Sequence, residues 1–321
     1  MKGKVIVILI CMLFLFSNTT TFASDLNDVI IVDDEGDGDY TSIKEALSYA
    51  NPGDTIEVYS GTYYENNITI NIEGINLQGI SYELGNGNDT GKPFIDGPGT
   101  DPYSLIEIIA CDTTINGFHI ENYNSEPLGN VLITIYHEAD GCVISNNDIF
   151  YTSSTLIWVY GSNNIIMNNN ISHSLMRQGI CLKEPATNNI VRGNVISDCE
   201  DGILCWGSNL NLIEGNNIHN CERFGIDITY KNSILRYNTI ENNTIGLYLR
   251  SKRVIVSNNN FINNEEHAIG TYGTLRQFIS NRWIGNYWGE ERTLPYPIPC
   301  YLFILPLVQF DWRPASVPNE I

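Results

Sequence analysis

The sequence predicts an all-β chain, wound as a single-stranded right-handed parallel β-helix with a short amino-terminal capping helix and a Pro- and aromatic-rich carboxy-terminal cap. Three observations predict it. An aliphatic–Asn motif returns about every 22 residues, a Gly–Ile signature follows at a nearly constant offset, and the segments at both ends do not repeat.

At the amino terminus, Lys2 and Lys4 precede an apolar run over residues 5–16 and the small-residue site Thr21, Phe22, Ala23. This is the pattern of a secretory signal over residues 1–23, too short to span a bilayer. The mature chain is expected to begin near Ser24, with no transmembrane anchor after signal removal, and to be secreted to the extracellular space or the cell surface. Formal charge is −20 over 321 residues, and such a surface repels phosphate backbones, so nucleic acid is excluded as a partner. Of eight cysteines, Cys11 leaves with the signal. The remaining seven are scattered and odd in number, which is not a disulfide framework, so at least one thiol is expected to be free or paired between molecules, and Cys199 and Cys221 to be free packed thiols.

Residues 24–80 read as the amino-terminal cap and first coils. A strand at 29–32 leads to Ser42, which with Glu45 makes a capping box for a short helix burying Ile43, Ala46, Leu47 and Ala50. Asn51, Pro52, Gly53 and Asp54 end it, and a strand over 55–59 follows. The acidic run at 33–39 is reminiscent of a calcium loop. However, the twelfth position from Asp33 is Lys44 instead of a bidentate Glu, so it reads as a turn.

Residues 81–292 carry the coils. The segments 143–149, 165–171, 190–196, 212–218, 234–240 and 255–261 align on Asn147, Asn169, Asn194, Asn216, Asn238 and Asn259, at intervals of 22, 25, 22, 22 and 21. A weaker copy is read at 114–120, and another at 278–284 with Arg282 in the Asn place. A circuit of three short strands and three turns needs about this many residues, and successive coils lie about 4.8 Å apart. Equivalent residues therefore stack: aliphatics fill the interior, with Ile171, Ile196 and Ile218 in one file. The anchor Asn residues are expected in left-handed turn positions, with their amides hydrogen-bonding up the column. Gly179–Ile180, Gly202–Ile203, Gly225–Ile226, Gly246–Leu247 and Ala268–Ile269 open strands that alternate in and out. Residues 293–321 form the carboxy-terminal cap. Their apolar stretch at 301–305 is too short, and too soon followed by Pro306, to be an anchor.

Segments 38–47 (GDYTSIKEAL), 53–58 (GDTIEV), 61–65 (GTYYE), 94–97 (FIDG) and 115–120 (INGFHI) resemble the right-handed β-helix repeat proteins. That group includes NosD-like periplasmic proteins and the carbohydrate-binding and sugar-hydrolysis domains, with the pectate-lyase-like superfamily behind them. The ending, with 286–289 (NYWG), 295–299 (PYPIP) and 310–314 (FDWRP), looks like that of exported archaeal members. The resemblance implies the pectate-lyase-like solenoid. It carries no activity across, because these segments are turns, core positions and caps, and no pectate-lyase or pectin-esterase catalytic motif occurs.

The strand alternation gives two outward columns. One holds Trp158, Cys181, Leu204, Asp227 and Tyr248, the other Tyr136, Tyr160, Lys183, Trp206, Thr229, Arg250 and Tyr272. Tyr136, Trp158, Tyr160, Trp206, Tyr248 and Tyr272 offer ring faces to sugars, and Lys183 and Arg250 could meet uronate carboxylates. Asp227 between those cations is the candidate acid or base. Hydrolysis by the usual route needs two carboxylates, and Asp198, Glu200 and Asp201 crowd one turn with Glu222 a rung away. Cys199 and Cys221 stack, and with His219 they could form a Cu(I) site, which kinship to NosD-like proteins would suggest. Arg192, Glu214 and Arg236 read as a surface ion-pair ladder. The expected function is a secreted or cell-surface β-helix that binds a polysaccharide or cell-surface glycan, or serves as an extracellular scaffold. A polysaccharide lyase or glycoside hydrolase acting on an acidic polysaccharide is the alternative, and periplasmic copper handling the second. No cofactor is required, and calcium or copper are the ions such residues could take.

Overall fold

A computed structural model describes residues 27–85, 87–97, 104–122 and 131–321, so the signal expected at 1–23 lies outside the described residues. Among the described residues the chain winds through three sheets of eleven, nine and eleven strands. One coil shows the plan: Ile190–Arg192 runs in the first sheet, Val195–Ser197 in the second and Asp201–Trp206 in the third. Each pairs in parallel with its counterpart one coil on, Leu212–Glu214, Asn217–His219 and Phe224–Ile228.

Strands of three residues cannot stand alone, and in the first two sheets they hold because each buries its central side chain between equivalent aliphatic neighbours. Ile171 pairs with Ile196, and Ile196 with Ile218. All three are fully buried, as expected. The file extends from Ile95 through Ile120, Ile149 and Ile240 to Phe261. Burial of one such Ile contributes about 2–3 kcal/mol.

The anchor Asn residues depart from expectation in one respect. The left-handed backbone belongs to the residue before each anchor: Asn146, Asn168, Gly193, Gly215, Tyr237 and Asn258 have φ between 55° and 65°. The turn points that residue outward and turns the anchor inward, where all six anchors are at most 2 % exposed. There each amide oxygen accepts from the backbone N–H and Nδ2 of the coil before, at 2.9–3.1 Å from Asn147 through Asn259 to Asn286. Asp311 ends the column by accepting from Asn286 at 2.9 and 3.0 Å. The interior of a turn cannot hold water, so a stacked amide is the group that satisfies both its own coil and the next.

Two copies of the repeat sit in a different register from the one expected. The last coil of the first sheet pairs Ile255 with Arg282, Val256 with Trp283 and Ser257 with Ile284. Its anchor is therefore Asn286, not Arg282, because helix α2 (Leu275–Ser280) is inserted ahead of it. In the third sheet Leu247 pairs with Ala268 and Tyr248 with Ile269. The last signature is thus His267–Ala268, one residue earlier than Ala268–Ile269, and a slip of one exchanges inside and outside.

Both ends are covered. At the amino end, α1 (Ile43–Tyr49) buries Ile43, Ala46 and Leu47. Ser42 accepts the Glu45 N–H, while the Glu65 carboxylate accepts the free N–H groups of Ile43 and Lys44 at 2.7 and 3.0 Å. At the carboxy end an antiparallel hairpin, Tyr296–Leu302 with Leu305–Asp311, extends the third sheet. Phe303 and Ile304 at its tip are exposed. No helix among the described residues is long and apolar enough to cross a membrane.

Candidate functional site

The outward face of the third sheet forms a cleft of about 560 Å³ across the strands Gln178–Lys183, Asp201–Trp206 and Phe224–Ile228. Its lining includes Trp158, Arg177, Lys183, Trp206, Arg223, Asp227 and Arg250. The strand register stacks Trp158, Cys181, Leu204, Asp227 and Tyr248 in one column, and places Lys183 beside Trp206 in the next, as expected. Parallel pairing brings side chains 21 to 25 residues apart in sequence within one rung of each other.

Lys183 lies among aromatic faces, with Nζ 4.9 Å from the Trp158 ring, 4.9 Å from Trp206 and 5.6 Å from Tyr160. Trp206 is 55 % exposed, with the Lys183 ammonium over its ring. Tyr160 packs against Trp158 at 5.3 Å and stacks on Tyr136 at 6.4 Å, so the aromatic row continues beyond the cleft along the stack. Tyr136 Oη donates to Glu107 at 2.9 Å. At the other end Tyr248 stacks on Phe224 at 4.8 Å, beneath the Arg250 guanidinium.

Asp227 is 2 % exposed, and its Oδ2 accepts from Arg250 Nη2 at 2.5 Å. Burial pushes its carboxyl up to about 6, although Arg250 pulls the other way. Oδ1 of Asp227 is buried with no hydrogen-bond partner, and so is Nε1 of Trp158. Both atoms lie beneath the cleft surface, the Trp158 indole against the Cys181 thiol, so the Asp227 oxygen stays unpaired unless the carboxyl rotates towards a ligand.

Asp201 behaves differently. It is fully buried and held bidentately by Arg223, Nε to Oδ1 at 2.9 Å and Nη2 to Oδ2 at 2.6 Å, while Gln178 donates to Oδ2 at 3.2 Å. Glu200 also pairs with Arg223, at 3.0 Å. The acidic turn is therefore committed to an ion-pair network, and Asp227 is the one carboxylate in the cleft's lining. Arg192 and Arg236 bracket Glu214 at 2.6 and 2.7 Å, the expected ladder on another face.

The structure leaves two expectations without support. Tyr272 is turned inward by the one-residue shift in the last coil. It is 3 % exposed and its hydroxyl donates to Gln309 at 3.0 Å, so it cannot stack on a sugar. Cys199 and Cys221 pack in the core, where burial pushes the Cys199 thiol up to about 12 and that of Cys221 well above its ordinary value. His219 lies two residues from Cys221 on a strand whose Ile218 points inward, and is half-buried. Among the described residues these three do not gather their donor atoms into a set fit for one ion. All seven cysteines from Cys111 to Cys300 are free thiols, including Cys199 and Cys221 as expected.

Arg177, Gln178 and Arg223 were not singled out from the sequence. A signal existed: Arg177, Glu200 and Arg223 each stand two residues before the Gly of the Gly–Ile signature, and so share a column.

The family profile described as "Right handed beta helix region" matches residues 103–283, more than half of the chain. No curated protein matches it in sequence. Among solved structures, an alginate lyase from Paenibacillus sp. str. FPU-7 is similar with a TM-score of 0.58 at 14 % identity, over 86 % of this chain and 98 % of that one. A complex of XylC with xylose is similar with a TM-score of 0.55 at 14 % identity, over 89 % of this chain and 73 % of that one. Dettilon tailspike protein gp208 follows with a TM-score of 0.52 at 14 % identity, over 77 % of this chain and 55 % of that one.

Proposed function

Because the chain belongs to the right-handed β-helix family, we propose that its third sheet is the working face and that the cleft there binds an extended acidic polysaccharide. Export to the outside of the cell, through the segment at residues 1–23, is part of this reading. The observation that carries it is the composition of the cleft. In a chain of net charge −20, Arg177, Lys183, Arg223 and Arg250 meet there with the exposed Trp206 ring and a single carboxylate. Aromatic faces stack on sugar rings while cations one rung apart meet uronate carboxylates. The row from Tyr136 through Tyr160 gives a glycan further contacts along the stack. The alginate lyase and the xylose-bound XylC share this fold at low identity, which is consistent with a glycan partner.

The test is retention of the protein on immobilised polyuronate against a neutral polysaccharide at equal ionic strength. Retention on polyuronate, weakened by Trp206→Ala and by Lys183→Ala, is the expected result. Equal passage through both matrices, and through a broad glycan array, would remove the reading.

A second reading is favoured by Asp227. A lone carboxylate in the cleft lining, pushed up to about 6 and paired with Arg250, suits β-elimination better than hydrolysis, which needs a second carboxylate. The Asp227 carboxylate would take the C5 proton of a uronate whose own carboxylate the cations neutralise. A C4–C5 double bond then forms as the glycosidic oxygen leaves C4 and takes a proton from solvent. Lyase action would produce an unsaturated sugar that absorbs near 235 nm, and Asp227→Asn would abolish that signal while leaving polyuronate retention. Undiminished turnover in Asp227→Asn would eliminate this role.

A further inference from the structure

The acidic run near the amino end does more than turn the chain. Glu83 and Asp89, some fifty residues on in the loop after strand Asn76–Gly79, come back against it. One carboxylate oxygen from each of Asp33, Glu35 and Glu83 lies within 4.8 Å of the other two, and the same holds for Asp34, Glu35 and Asp89. Two oxygens bound to one calcium at roughly 2.4 Å are at most about twice that apart.

Clustered acids alone would mean little. Here Asp33 is fully buried, and its Oδ1 has no hydrogen-bond partner, while its Oδ2 accepts the Asp37 N–H at 2.9 Å. Oδ1 of Asp34 is likewise buried without a partner, its Oδ2 accepting the Thr62 N–H at 2.9 Å. None of the five acids forms a salt bridge with a described Lys, Arg or His. A buried carboxylate oxygen among like charges, with neither donor nor cation, is costly unless an ion supplies the missing charge. The backbone is shaped for the carboxylates: a Cβ on Gly61 would collide with Asp34 Oδ1, and one on Gly87 with the Glu83 carboxylate.

We propose that Asp33, Glu35 and Glu83 hold one calcium ion, which ties the amino-terminal loop to the loop of a later coil. The donors are all hard oxygens, and they come from two irregular loops, an arrangement that suits the flexible coordination of Ca²⁺ better than the strict octahedron of Mg²⁺. The site needs no EF-hand spacing, because its carboxylates come from two separate loops and water can complete the shell.

The experiment uses the whole mature protein, stripped with chelator and free of glycan, so its outcome is independent of the cleft. Thermal unfolding is followed with millimolar CaCl₂, MgCl₂ or KCl at matched ionic strength, beside calorimetric titration with CaCl₂. The expected result is a rise in midpoint of about 2–4 °C with calcium, less with magnesium, none with KCl, and a stoichiometry near one. Glu35→Gln, an exposed position that leaves the fold intact, and Glu83→Gln abolish both signals. An equal shift with KCl, no heat of calcium binding, or full calcium response in Glu35→Gln would overturn the proposal.

Discussion

Two carboxylates one rung apart, Asp201 and Asp227, meet opposite fates. Both are buried on the same sheet, but Asp201 has a bidentate Arg223 and the Gln178 amide, whereas Asp227 has one bond to Arg250 and an idle Oδ1. The difference is visible in pH. The carboxyl of Asp227 is raised, so its contribution to stability is complete below the unfolded value near 4 and is lost as pH rises through about 6. Retention on polyuronate should strengthen as pH falls from 7 towards 5, when that negative charge leaves the cleft, and Asp227→Asn should flatten the trend. Elimination needs the ionised form, so a lyase rate would fall over the same interval, and a pH series of both measurements separates binding from chemistry. Trp206→Ala should weaken binding roughly tenfold, the loss of about 1.4 kcal/mol of stacking. Affinity titration checks it, with unchanged unfolding behaviour as the control.

At the scale of the element, the turn between first and second sheets combines two demands that sit on adjacent residues. The outward residue needs a left-handed backbone, and the inward one needs an amide. Asn216 satisfies the backbone of the coil before it and gives its own Nδ2 to Val191 and Asn238. Asn216→Ala should therefore cost about 2–3 kcal/mol, because several buried donors and acceptors lose partners at once. Asn168 needs only its backbone conformation, and Asn168→Gly should change stability by less than about 0.5 kcal/mol. Urea unfolding of the two variants compares these directly. The repeating Asn was legible in the sequence, but the one-residue offset between its turn role and its ladder role was not. Asn occurs at both positions in 146–147 and 168–169, and identity alone does not say which side chain faces in.

Over the whole molecule, a linear stack gives each coil contact mainly with its two neighbours, so stability rests on the interior files and on the caps. Six of the seven cysteines among the described residues are buried in that interior or beneath the cleft, and Cys111 alone is half-exposed. A thiol reagent such as Ellman's should label about one thiol per native chain, and the rest only in denaturant. Rapid native labelling of more would contradict the packing of Cys199 and Cys221.

The sequence by itself determined the solenoid, its coil boundaries between 143 and 261, the helical cap, and the outward columns that include Trp158, Lys183, Trp206, Asp227 and Arg250. It could do so because stacking forces equivalent positions to obey the same burial rule, and the rule is written once per coil. Tertiary structure decided what repetition cannot encode. The inserted helix Leu275–Ser280 shifted the last anchor to Asn286, and a one-residue slip turned Tyr272 inward. Arg223 settled on Asp201, leaving Asp227 with a free oxygen, and two distant acidic loops closed on one another at the amino end. Each of these depends on a contact between residues whose separation in sequence follows no period, so only the folded chain brings them together.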